Sequence, residues 1–484
     1  MNTQRYDIAV IGAGVIGAAI AAELSRHSVR VGWFEAAHDV AEGASKANSA
    51  IASSGYDLPP GSLESDLILE SSPQWETICG TLDVPFRRIG ALSLGFDESD
   101  TESLKQLAAQ AEAAGVAAET ISGRALRQAA KTAAPTAIEA LHVPAEGIID
   151  PIRLTIGLAK LAVVNGVDLH RSTPVTGFWH HPSGQISHVV TPAGAVSVGV
   201  VVNAAGVNAD RISDAAAAEP FGMWPRKGQF MLLDRAVGHL VPKIMSTAPT
   251  PHTRGIYAIP TTNRTVLVGP TADDRQDRSD KATDATTQDS VWSRAQRLLP
   301  PEIERRFVTK TFSGLRPASD RTYRLEVSPK VPNLVHAAGI RSTGVSSAPA
   351  VARYIANLID AELMTLTAKP AARRRISAIP RLAEMATDTA ATDFTGQPGS
   401  SPDQRPMVVC ACEHVTAAEI SAECRGPVPA TSLDGVRKRT RAMAGRCQGA
   451  YCSVGVGFIL SSATGQQPGE IRQGEPGSQW ETNG

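Results

Sequence analysis

The amino-acid sequence predicts an α/β fold in three parts: a dinucleotide-binding domain, an antiparallel-sheet domain (α+β) inserted into it, and a small, mostly helical C-terminal domain. Three observations support this prediction. A glycine-rich turn lies between two apolar, strand-like runs near the N-terminus. Residues 212–330 contain segments of alternating apolar and polar side chains, which is typical of a half-exposed antiparallel sheet. Beyond a polar stretch, two close pairs of cysteines mark the C-terminal part.

The composition limits the classes of function. The chain has 484 residues, which is long enough for two or three domains, and its 47 Lys and Arg against 48 Asp and Glu give a net charge of −1. This balance argues against nucleic-acid binding or attachment to an anionic membrane through a basic surface. The sequence shows neither a signal-peptide pattern nor an apolar run long enough to span a bilayer. We therefore expect a cytoplasmic protein with reduced thiols, and peripheral association with the inner membrane face stays open.

The glycine-rich turn indicates a nucleotide site. The sequence GAGVIG has the G-x-G-x-x-G spacing, and the second apolar run ends at Glu35. Gly12 permits the tight turn, Gly14 lets the backbone approach a pyrophosphate, and Gly17 lets the helix pack closely on the strand. The helix that begins at Val15 offers N–H groups to the phosphates. The Glu35 carboxylate is placed to accept hydrogen bonds from ribose hydroxyls, so the pattern predicts a Rossmann-type domain that binds FAD or NAD.

Two later segments distinguish between these cofactors. The run VVVNAAGVNAD contains Gly206 in a small-residue turn, and NLVHAAGIRSTGVSSAPAVARYIANLID is a strand, a glycine turn and a helix. A nucleotide domain assembled from the first 50 residues, the middle and this late segment resembles the FAD-dependent D-amino-acid-oxidase-like oxidoreductases. The resemblance implies bound FAD, with Gly339 and Gly344 facing the flavin ring.

A further segment, SKANSAIASSGYD, resembles the stretch that runs under the flavin in this family. The resemblance places Ser45, Asn48 and Ser49 at its recurring cofactor-binding positions.

The alternating segments carry the candidate substrate residues. KGQFMLLD, VLVGPTADD and FSGLRPASD resemble the glycerol-3-phosphate dehydrogenase branch of the family, especially its anaerobic large-subunit type, and also the L-2-hydroxyglutarate dehydrogenases. The resemblance implies that Arg316 reaches the anionic end of the substrate and that Arg341 lies near the flavin. An arginine fork can donate two parallel hydrogen bonds to a carboxylate or phosphate. The alternative interpretation is that each arginine forms a structural ion pair.

One departure from the family pattern concerns the catalytic base. Relatives that oxidise secondary alcohols often carry histidine where this chain has Ser53. Serine is a poor base unless another group activates it. His252 and, less favourably, His336 are the alternative bases. Ser53 therefore also favours an amine substrate, because a neutral amine can lose hydride without a protein base.

The C-terminal cysteines form the pattern Cys410-x-Cys412 and Cys447-x4-Cys452. Zinc ribbons usually have C-x2-C pairs, and a disulfide conflicts with a reducing compartment. A [2Fe-2S] cluster requires two cysteine thiolates for each iron and fits best. The spacing and the segment TSLDGVRKRTRAMAGRCQGAYC resemble the bacterioferritin-associated-ferredoxin-like [2Fe-2S] domain. Basic residues between the pairs either raise the cluster potential or form a solvated helix face.

These patterns predict the domain boundaries. We expect an oxidoreductase domain over 1–365, a linker over 366–406, a [2Fe-2S] domain over 407–465 and a disordered tail over 466–484. Within the first domain, the expected FAD-binding parts are about 1–75, 145–211 and 331–365, and the substrate-domain parts are about 76–144 and 212–330.

The resemblances imply an FAD-dependent dehydrogenase of a small anionic alcohol, either a polyol phosphate like glycerol 3-phosphate or a 2-hydroxy acid. A flavin accepts two electrons and a [2Fe-2S] cluster carries one, so electrons are expected to leave singly through the cluster. The expected acceptor is a separate subunit or a quinone-linked partner in a hetero-oligomer. Two alternatives stay open: an amino-acid, opine or secondary-amine dehydrogenase subunit, and an electron-transfer subunit without substrate turnover.

Overall fold

The computed structural model describes residues 5–130, 136–249, 254–383 and 407–479. The strands, numbered in chain order, are β1 Arg5–Ile11, β2 Val31–Phe34, β3 Ile51–Ala52, β4 Phe86–Arg88, β5 Ala91–Gly95, β6 Glu119–Ser122, β7 Glu139–Val143, β8 Gly147–Ile149, β9 Asp168–His170, β10 Gly177–His180, β11 Ile186–Thr191, β12 Gly194–Asn203, β13 Met223–Leu233, β14 Ile244–Thr247, β15 Tyr257–Pro260, β16 Val266–Gly269, β17 Asp273–Asp274, β18 Val308–Ser319, β19 Arg324–Val327, β20 Leu334–Ala338, β21 Val408–Cys410 and β22 Val415–Thr416.

The α-helices are α1 Val15–Leu24, α2 Leu63–Ser71, α3 Trp75–Thr81, α4 Glu98–Ala113, α5 Gly123–Ala129, α6 Pro151–Val164, α7 Ala209–Ala215, α8 Ala285–Ala295, α9 Gly344–Glu362, α10 Ala417–Arg425, α11 Leu433–Thr440 and α12 Ser453–Thr464. Within the described ranges, no helix is both long enough and apolar enough to cross a membrane.

The first sheet forms the centre of the dinucleotide-binding domain. Strands β20, β12, β1, β2 and β9 run parallel in that order, while β19 and the β10–β11 hairpin add antiparallel strands. β2 is buried along its whole length, as expected for a parallel strand that is covered on both faces. Small side chains on α1 let this helix pack against both α6 and α9. The predicted Rossmann-type architecture is confirmed.

The second sheet is largely antiparallel and has the order β17-β13-β16-β15-β14-β5-β7-β6, with β18 also paired to β13. β13 and β18 pair from Met223 opposite Ser319 to Leu233 opposite Val308, and this register places Arg226 directly opposite Arg316. The predicted inserted antiparallel sheet is therefore present. Strands β5 to β7 extend it, and β3, β8 and β4 form a small third sheet.

The C-terminal domain consists of the β21–β22 hairpin and the helices α10, α11 and α12, so the expectation of a mostly helical domain is confirmed. The prediction of a disordered tail is wrong for the described residues 466–479. Ile471 is fully buried, and the Leu433 and Asp434 backbone N–H groups donate to the carbonyl oxygens of Arg472 and Gln473. The tail is ordered because it supplies acceptors to the free N–H groups at the start of α11.

The beginning of the expected linker also belongs to the folded chain. Arg381 is buried and forms ion pairs with Asp83 at 2.6 Å and with Glu423 of α10 at 3.1 Å. Leu366 is buried in the core beside α1 and α9. The described residues 366–383 thus pack against both domains, which corrects the expected linker start, and residues 384–406 of the expected linker lie outside the described residues.

A buried ion-pair network joins the C-terminal domain to the dinucleotide-binding domain. The Arg439 guanidinium of α11 makes a bidentate contact with Asp39, at 2.6 and 2.9 Å, and both residues are 1% exposed. Lys438 lies 2.9 Å from Asp39 and also pairs with Glu42. Burial alone raises the pKa of Asp39, but the positive charges of Arg439 and Lys438 outweigh it and hold the pKa well below its ordinary value. These contacts fix α11 against the loop that follows β2.

This network changes the interpretation of the basic residues between the cysteine pairs. Lys438 and Arg439 are neither solvated nor directed at the cysteines, because they are buried against acidic residues of the other domain. Arg441 pairs with Glu413 at 2.9 Å, and Glu413 also pairs with Arg235 of the antiparallel-sheet domain. Lys438 and Arg439 therefore pair directly across the interface between the domains, while Arg441 supports the Glu413 carboxylate that pairs with Arg235.

The substitution Asp39→Asn tests this docking. It leaves two buried cations without their main counter-charge, which costs about 3–5 kcal/mol. We expect the backbone amides of α11 to exchange with solvent faster than in the wild type, by a factor set by this loss of free energy. Hydrogen–deuterium exchange measures the difference. The control is Arg446→Gln, which removes a cation that is 77% exposed and lies 3.9 Å from its carboxylate partner, and it should leave the exchange unchanged. Unchanged α11 exchange in Asp39→Asn would contradict the docking role.

Candidate active site

The glycine turn is built by close backbone contacts. Gly12 has φ +102°, and a Cβ atom at this position would lie 2.5 Å from the Ala204 carbonyl oxygen. A Cβ atom on Gly17 would lie 1.9 Å from the Gly12 carbonyl oxygen. Glycine is therefore required at both positions by the packing of β1, α1 and β12. Gly14, the N-cap of α1, contributes no side chain, which leaves room for a phosphate at the helix N-terminus.

Two side chains border this turn. The Ser45 hydroxyl accepts a hydrogen bond from the Val15 N–H at 2.8 Å, so it supports the first residue of α1. The Glu35 carboxylate follows β2 and accepts the N–H groups of Ala13 at 2.5 Å and Ala37 at 2.7 Å. Burial raises the pKa of Glu35. Each carboxylate oxygen keeps a second lone pair, so both ribose hydroxyls of a dinucleotide can still be accepted.

The loop after Ser45 is shaped by Asn48. Its amide donates to the carbonyl oxygens of Ala44 and Ser45 at 3.1 and 2.9 Å, and its oxygen accepts the Ala50 N–H. Ser49 is half-buried on this loop. The FAD-binding roles of Asn48 and Ser49 stay predictions, and the structure gives Asn48 a loop-forming role.

The predicted flavin-facing segments come together in the structure. Gly206 (φ +58°) and Gly339 (φ +67°) both have left-handed backbone angles, and Gly344 begins α9. The Ser53 N–H donates to the Ser346 hydroxyl in the first turn of α9 at 2.9 Å. The loop over residues 45–55 therefore meets α9 at the carboxyl ends of the parallel strands, where α/β folds bind their ligands.

Sequence reasoning missed an acidic residue at this junction. Glu146 is 3% exposed, and its Oε1 accepts the Ser54 N–H at 2.6 Å, the Ser54 hydroxyl at 2.7 Å and the Ser53 hydroxyl at 3.2 Å. Burial raises the pKa of Glu146 to about 7. The signal in the sequence is the acid within VPAEGIID, enclosed by the apolar runs that form β7 and β8.

An ion pair between Arg254 and Asp57 lies near the Glu146 carboxyl, which interacts electrostatically with Asp57. Arg254 forms an ion pair with Asp57 at 3.2 Å, and Tyr56 and Tyr257 are close enough to interact electrostatically with both residues. Burial raises the pKa of Tyr257 well above its ordinary value. His252, the preferred alternative base, lies outside the described residues.

The two candidate arginines differ in their surroundings. Arg316 donates to the Thr271 carbonyl oxygen, and among the described residues it forms no ion pair. Burial, together with the charges of Arg226 and Arg254, lowers its pKa to about 10. Arg341 instead pairs with the buried Glu64 at 3.2 Å, so the ion-pair interpretation suits Arg341 and the charge of Arg316 stays available for an anion.

His336 is a core residue. It is fully buried, lies 2.9 Å from a Glu219 carboxylate oxygen and 3.3 Å from the Asn203 amide, and contacts the Phe221 ring edge. These contacts agree with the low rank that the sequence gives it as a base.

The four predicted ligand cysteines lie together as two pairs. The Sγ atoms of Cys412 and Cys447 are 3.7 Å apart, and the thiols of Cys410 and Cys452 lie close enough to interact electrostatically. Two thiolates on one tetrahedral metal ion lie about 3.8 Å apart, given metal–sulfur bonds of about 2.3 Å. Backbone N–H groups, first that of Tyr451, lower the pKa of Cys447 and favour its thiolate.

The pairing suits a cluster of two metal ions. A [2Fe-2S] cluster needs two thiolates on each of two irons, which two separate pairs can supply. Cys79 and Cys424 are buried in apolar cores and belong to neither pair, in agreement with their interpretation as packing residues.

The raised pKa of Glu146 predicts a pH-dependent stability. A carboxyl in the unfolded chain titrates near about 4.3, whereas Glu146 titrates at about 7 in the folded chain. The folded state thus retains a proton that the unfolded state loses, and stability falls by roughly 3 kcal/mol as pH rises from about 4 to about 7. Glutamine does not titrate, so Glu146→Gln removes this pH-dependent loss of stability. The Tm of the variant minus that of the wild type should therefore be larger at pH 8 than at pH 5.

Thermal unfolding at both pH values checks this prediction, with Glu98→Gln, on the exposed first turn of α4, as the control that should show no such difference. An equal effect of Glu146→Gln at both pH values would contradict a carboxyl that titrates near neutrality.

Comparisons with known proteins agree with this arrangement. Residues 7–358 match the family described as FAD dependent oxidoreductase, and residues 408–462 match the BFD-like [2Fe-2S] binding domain. The chain is 32% identical to the glycerol 3-phosphate dehydrogenase of Caloramator mitchellensis over 98% of this chain and 97% of the relative. A subunit of the anaerobic glycerol-3-phosphate dehydrogenase of Escherichia coli K12 is 26% identical, over 95% of this chain and 88% of the relative.

Among solved structures, the chain resembles the L-alpha-glycerophosphate oxidase of Mycoplasma pneumoniae with FAD bound. The TM-score is 0.73 at 26% identity, and the match covers 78% of this chain and 99% of the oxidase.

Proposed function

The chain belongs to the family of FAD-dependent oxidoreductases and carries a [2Fe-2S] domain, and from this premise we propose that it is a dehydrogenase of a small anionic alcohol of the glycerol 3-phosphate type. The observation that carries the proposal is the similarity to a glycerol 3-phosphate dehydrogenase across both domains, at 32% identity over 98% of the chain. In this proposal the substrate electrons leave singly through the cluster to a separate acceptor.

The residues of the glycine turn fit FAD. Gly12, Gly14 and the N-terminus of α1 would hold the pyrophosphate, and the Glu35 carboxylate would accept the ribose hydroxyls. When bound, FAD supplies a two-electron hydride acceptor and the [2Fe-2S] cluster supplies a one-electron carrier. The chain's own contribution is to position the substrate, to neutralise its charge and to receive its proton.

We assign the anionic end of the substrate to the side of the site that carries Arg316 and Arg254. Arg316 has a half-buried guanidinium that donates to a carbonyl oxygen, and Arg254 is close enough for mutual repulsion to lower the pKa of Arg316. Bringing a dianionic phosphate between these cations removes that repulsion and supplies charge-assisted hydrogen bonds. This arrangement supports an anionic substrate such as glycerol 3-phosphate.

The surroundings of the cysteines support an electron exit at the protein surface. Tyr451, between the ligands Cys447 and Cys452, is 90% exposed, and Phe458 of α12 is 60% exposed. Met407 and Val408, which precede Cys410, are also exposed. An apolar rim around a one-electron carrier suits a protein acceptor that docks over it. A hetero-oligomer is further supported by the Escherichia coli relative, which is named as one subunit of its enzyme.

A second candidate is an amino-acid or secondary-amine dehydrogenase. It is favoured by Ser53 in place of a histidine base and by 26% identity to the glycine oxidase of Geobacillus kaustophilus over 74% of this chain. The first candidate is favoured by the full-length similarity to glycerol 3-phosphate dehydrogenase and by Arg316, which has no ion-pair partner among the described residues.

The substrate is tested by anaerobic titration of the FAD-loaded enzyme. We expect glycerol 3-phosphate to bleach the flavin, and Arg316→Met to raise the half-saturating concentration by about 10- to 100-fold, because a charge-assisted hydrogen bond is lost. Arg226→Met is the matched control, since Arg226 lies opposite Arg316 on the neighbouring strand and pairs with Asp274. Bleaching by amino acids or secondary amines alone would contradict the proposal.

The electron exit is tested by Cys412→Ser. One iron loses a thiolate ligand, so the visible absorbance of the cluster should disappear while glycerol 3-phosphate still bleaches the flavin at the wild-type rate. Reoxidation by the acceptor should become slow. Cys424→Ser serves as the control because this cysteine of the same domain is buried and belongs to neither pair. Unchanged reoxidation in Cys412→Ser would show that electrons leave by another route.

A further inference from the structure

The position of the missing histidine is connected to a buried carboxyl. Ser53 is half-exposed, and its hydroxyl lies 3.2 Å from Glu146 Oε1. Its backbone N–H is held by Ser346 at the start of α9, the segment that resembles the flavin cover. Ser53 therefore links the contact between its loop and the start of α9 to the buried Glu146.

Among the described residues, no cation forms an ion pair with Glu146. The titratable groups that interact with its carboxyl are Asp57, Tyr56 and Tyr257, and Asp57 is itself paired with Arg254. The cations on the adjoining turn donate to backbone carbonyl oxygens, Arg88 to that of Ala145 and Lys243 to that of Ile89. Burial and the negative charge of Asp57 keep the pKa of Glu146 at about 7. Burying a carboxylate without a paired cation costs free energy. A carboxyl whose pKa lies near neutrality is suited to binding and releasing a proton.

The hydrogen bonds of Glu146 do not by themselves require a carboxyl. The Ser53 hydroxyl, the Ser54 hydroxyl and the Ser54 N–H all donate to the same oxygen, Oε1. A glutamine carbonyl oxygen in this place, with its two lone pairs, would accept the two short hydrogen bonds from Ser54. What a glutamine cannot do is bind and release a proton, so proton exchange is the property that would require an acid at this position.

We propose that Ser53 and Glu146 form a proton relay that replaces the histidine base. The inference rests on the proposed oxidation of an alcohol. As the substrate C–H hydrogen leaves with its electron pair to the oxidised flavin, the substrate hydroxyl proton passes to Ser53 Oγ, and the Ser53 hydroxyl proton passes to the ionised Glu146. The products are the carbonyl compound, the two-electron-reduced flavin and neutral Glu146, which releases its proton to solvent.

The first test is the single-turnover rate of flavin reduction by glycerol 3-phosphate as a function of pH. In the wild type the rate should rise through a pKa of about 7, because Glu146 must be ionised to accept the proton. Glu146→Gln should lower the rate by about 10²- to 10⁴-fold and remove this pH dependence. A wild-type rate and pH profile in Glu146→Gln would overturn the relay.

The second test separates the relay from a structural role. In a Ser53→His background the imidazole can take the substrate proton directly, so adding Glu146→Gln should cost less than about threefold, against about 100-fold or more beside Ser53. An equal cost in both backgrounds would show that Glu146 acts only on the structure.

The third test does not depend on turnover. The infrared carboxylic-acid stretch of Glu146 should be present at pH 5, disappear through about pH 7 and persist in Ser53→Ala, but be absent from Glu146→Gln. The lack of such a titrating band in the wild type would overturn the relay. If wild-type flavin is not reduced by glycerol 3-phosphate at all, the proposed function fails and the relay with it. If glycerol 3-phosphate reduces the wild-type flavin fully and Glu146→Gln reduces it at an undiminished rate, the relay is overturned and the proposed function stands.

Discussion

The buried pair between Arg439 and Asp39 is the contact on which the two-cofactor arrangement depends. Both residues are 1% exposed, and Lys438 adds a second cation to the same carboxylate. Charges buried this deeply are tolerated only when they are paired, so the C-terminal domain cannot detach without exposing or stranding them. Because Asp39 follows β2, which also leads to Glu35, one loop serves both the dinucleotide site and the docked cluster domain.

The substrate side is organised by the separation of opposite charges within one site. In the proposed function, Arg316 provides a cation for the anionic end of the substrate, and Glu146 provides a carboxyl whose pKa of about 7 permits proton transfer near neutrality. Arg254 and Asp57 form an ion pair with each other, while Arg254 acts electrostatically on Arg316 and Asp57 on Glu146. The proposal therefore assigns binding of the anion to β18 and removal of the proton to the turn before β8.

The sequence predicts the parts of this protein whose residues are set by local geometry. Gly12 and Gly17 are required by contacts closer than a side chain permits, and the cysteine pairs are spaced by the ligand positions of a cluster, so both features can be read from short motifs. Glu146, Asp39 and the ordered tail at Ile471 could not be predicted, because their environments arise from residues distant along the chain. Arg341 and Arg316 cannot be told apart from the sequence, whereas the structure pairs Arg341 with Glu64 and places Arg316 beside the Thr271 carbonyl oxygen.

In the proposed function, electrons from the substrate must reach the cluster within one molecule. Electron paramagnetic resonance of the FAD- and cluster-loaded enzyme, frozen after anaerobic mixing with glycerol 3-phosphate, measures this transfer directly. We expect the signal of a reduced [2Fe-2S] cluster to appear once the flavin has been bleached. A bleached flavin beside a cluster that stays oxidised would rule out electron transfer from the flavin to the cluster.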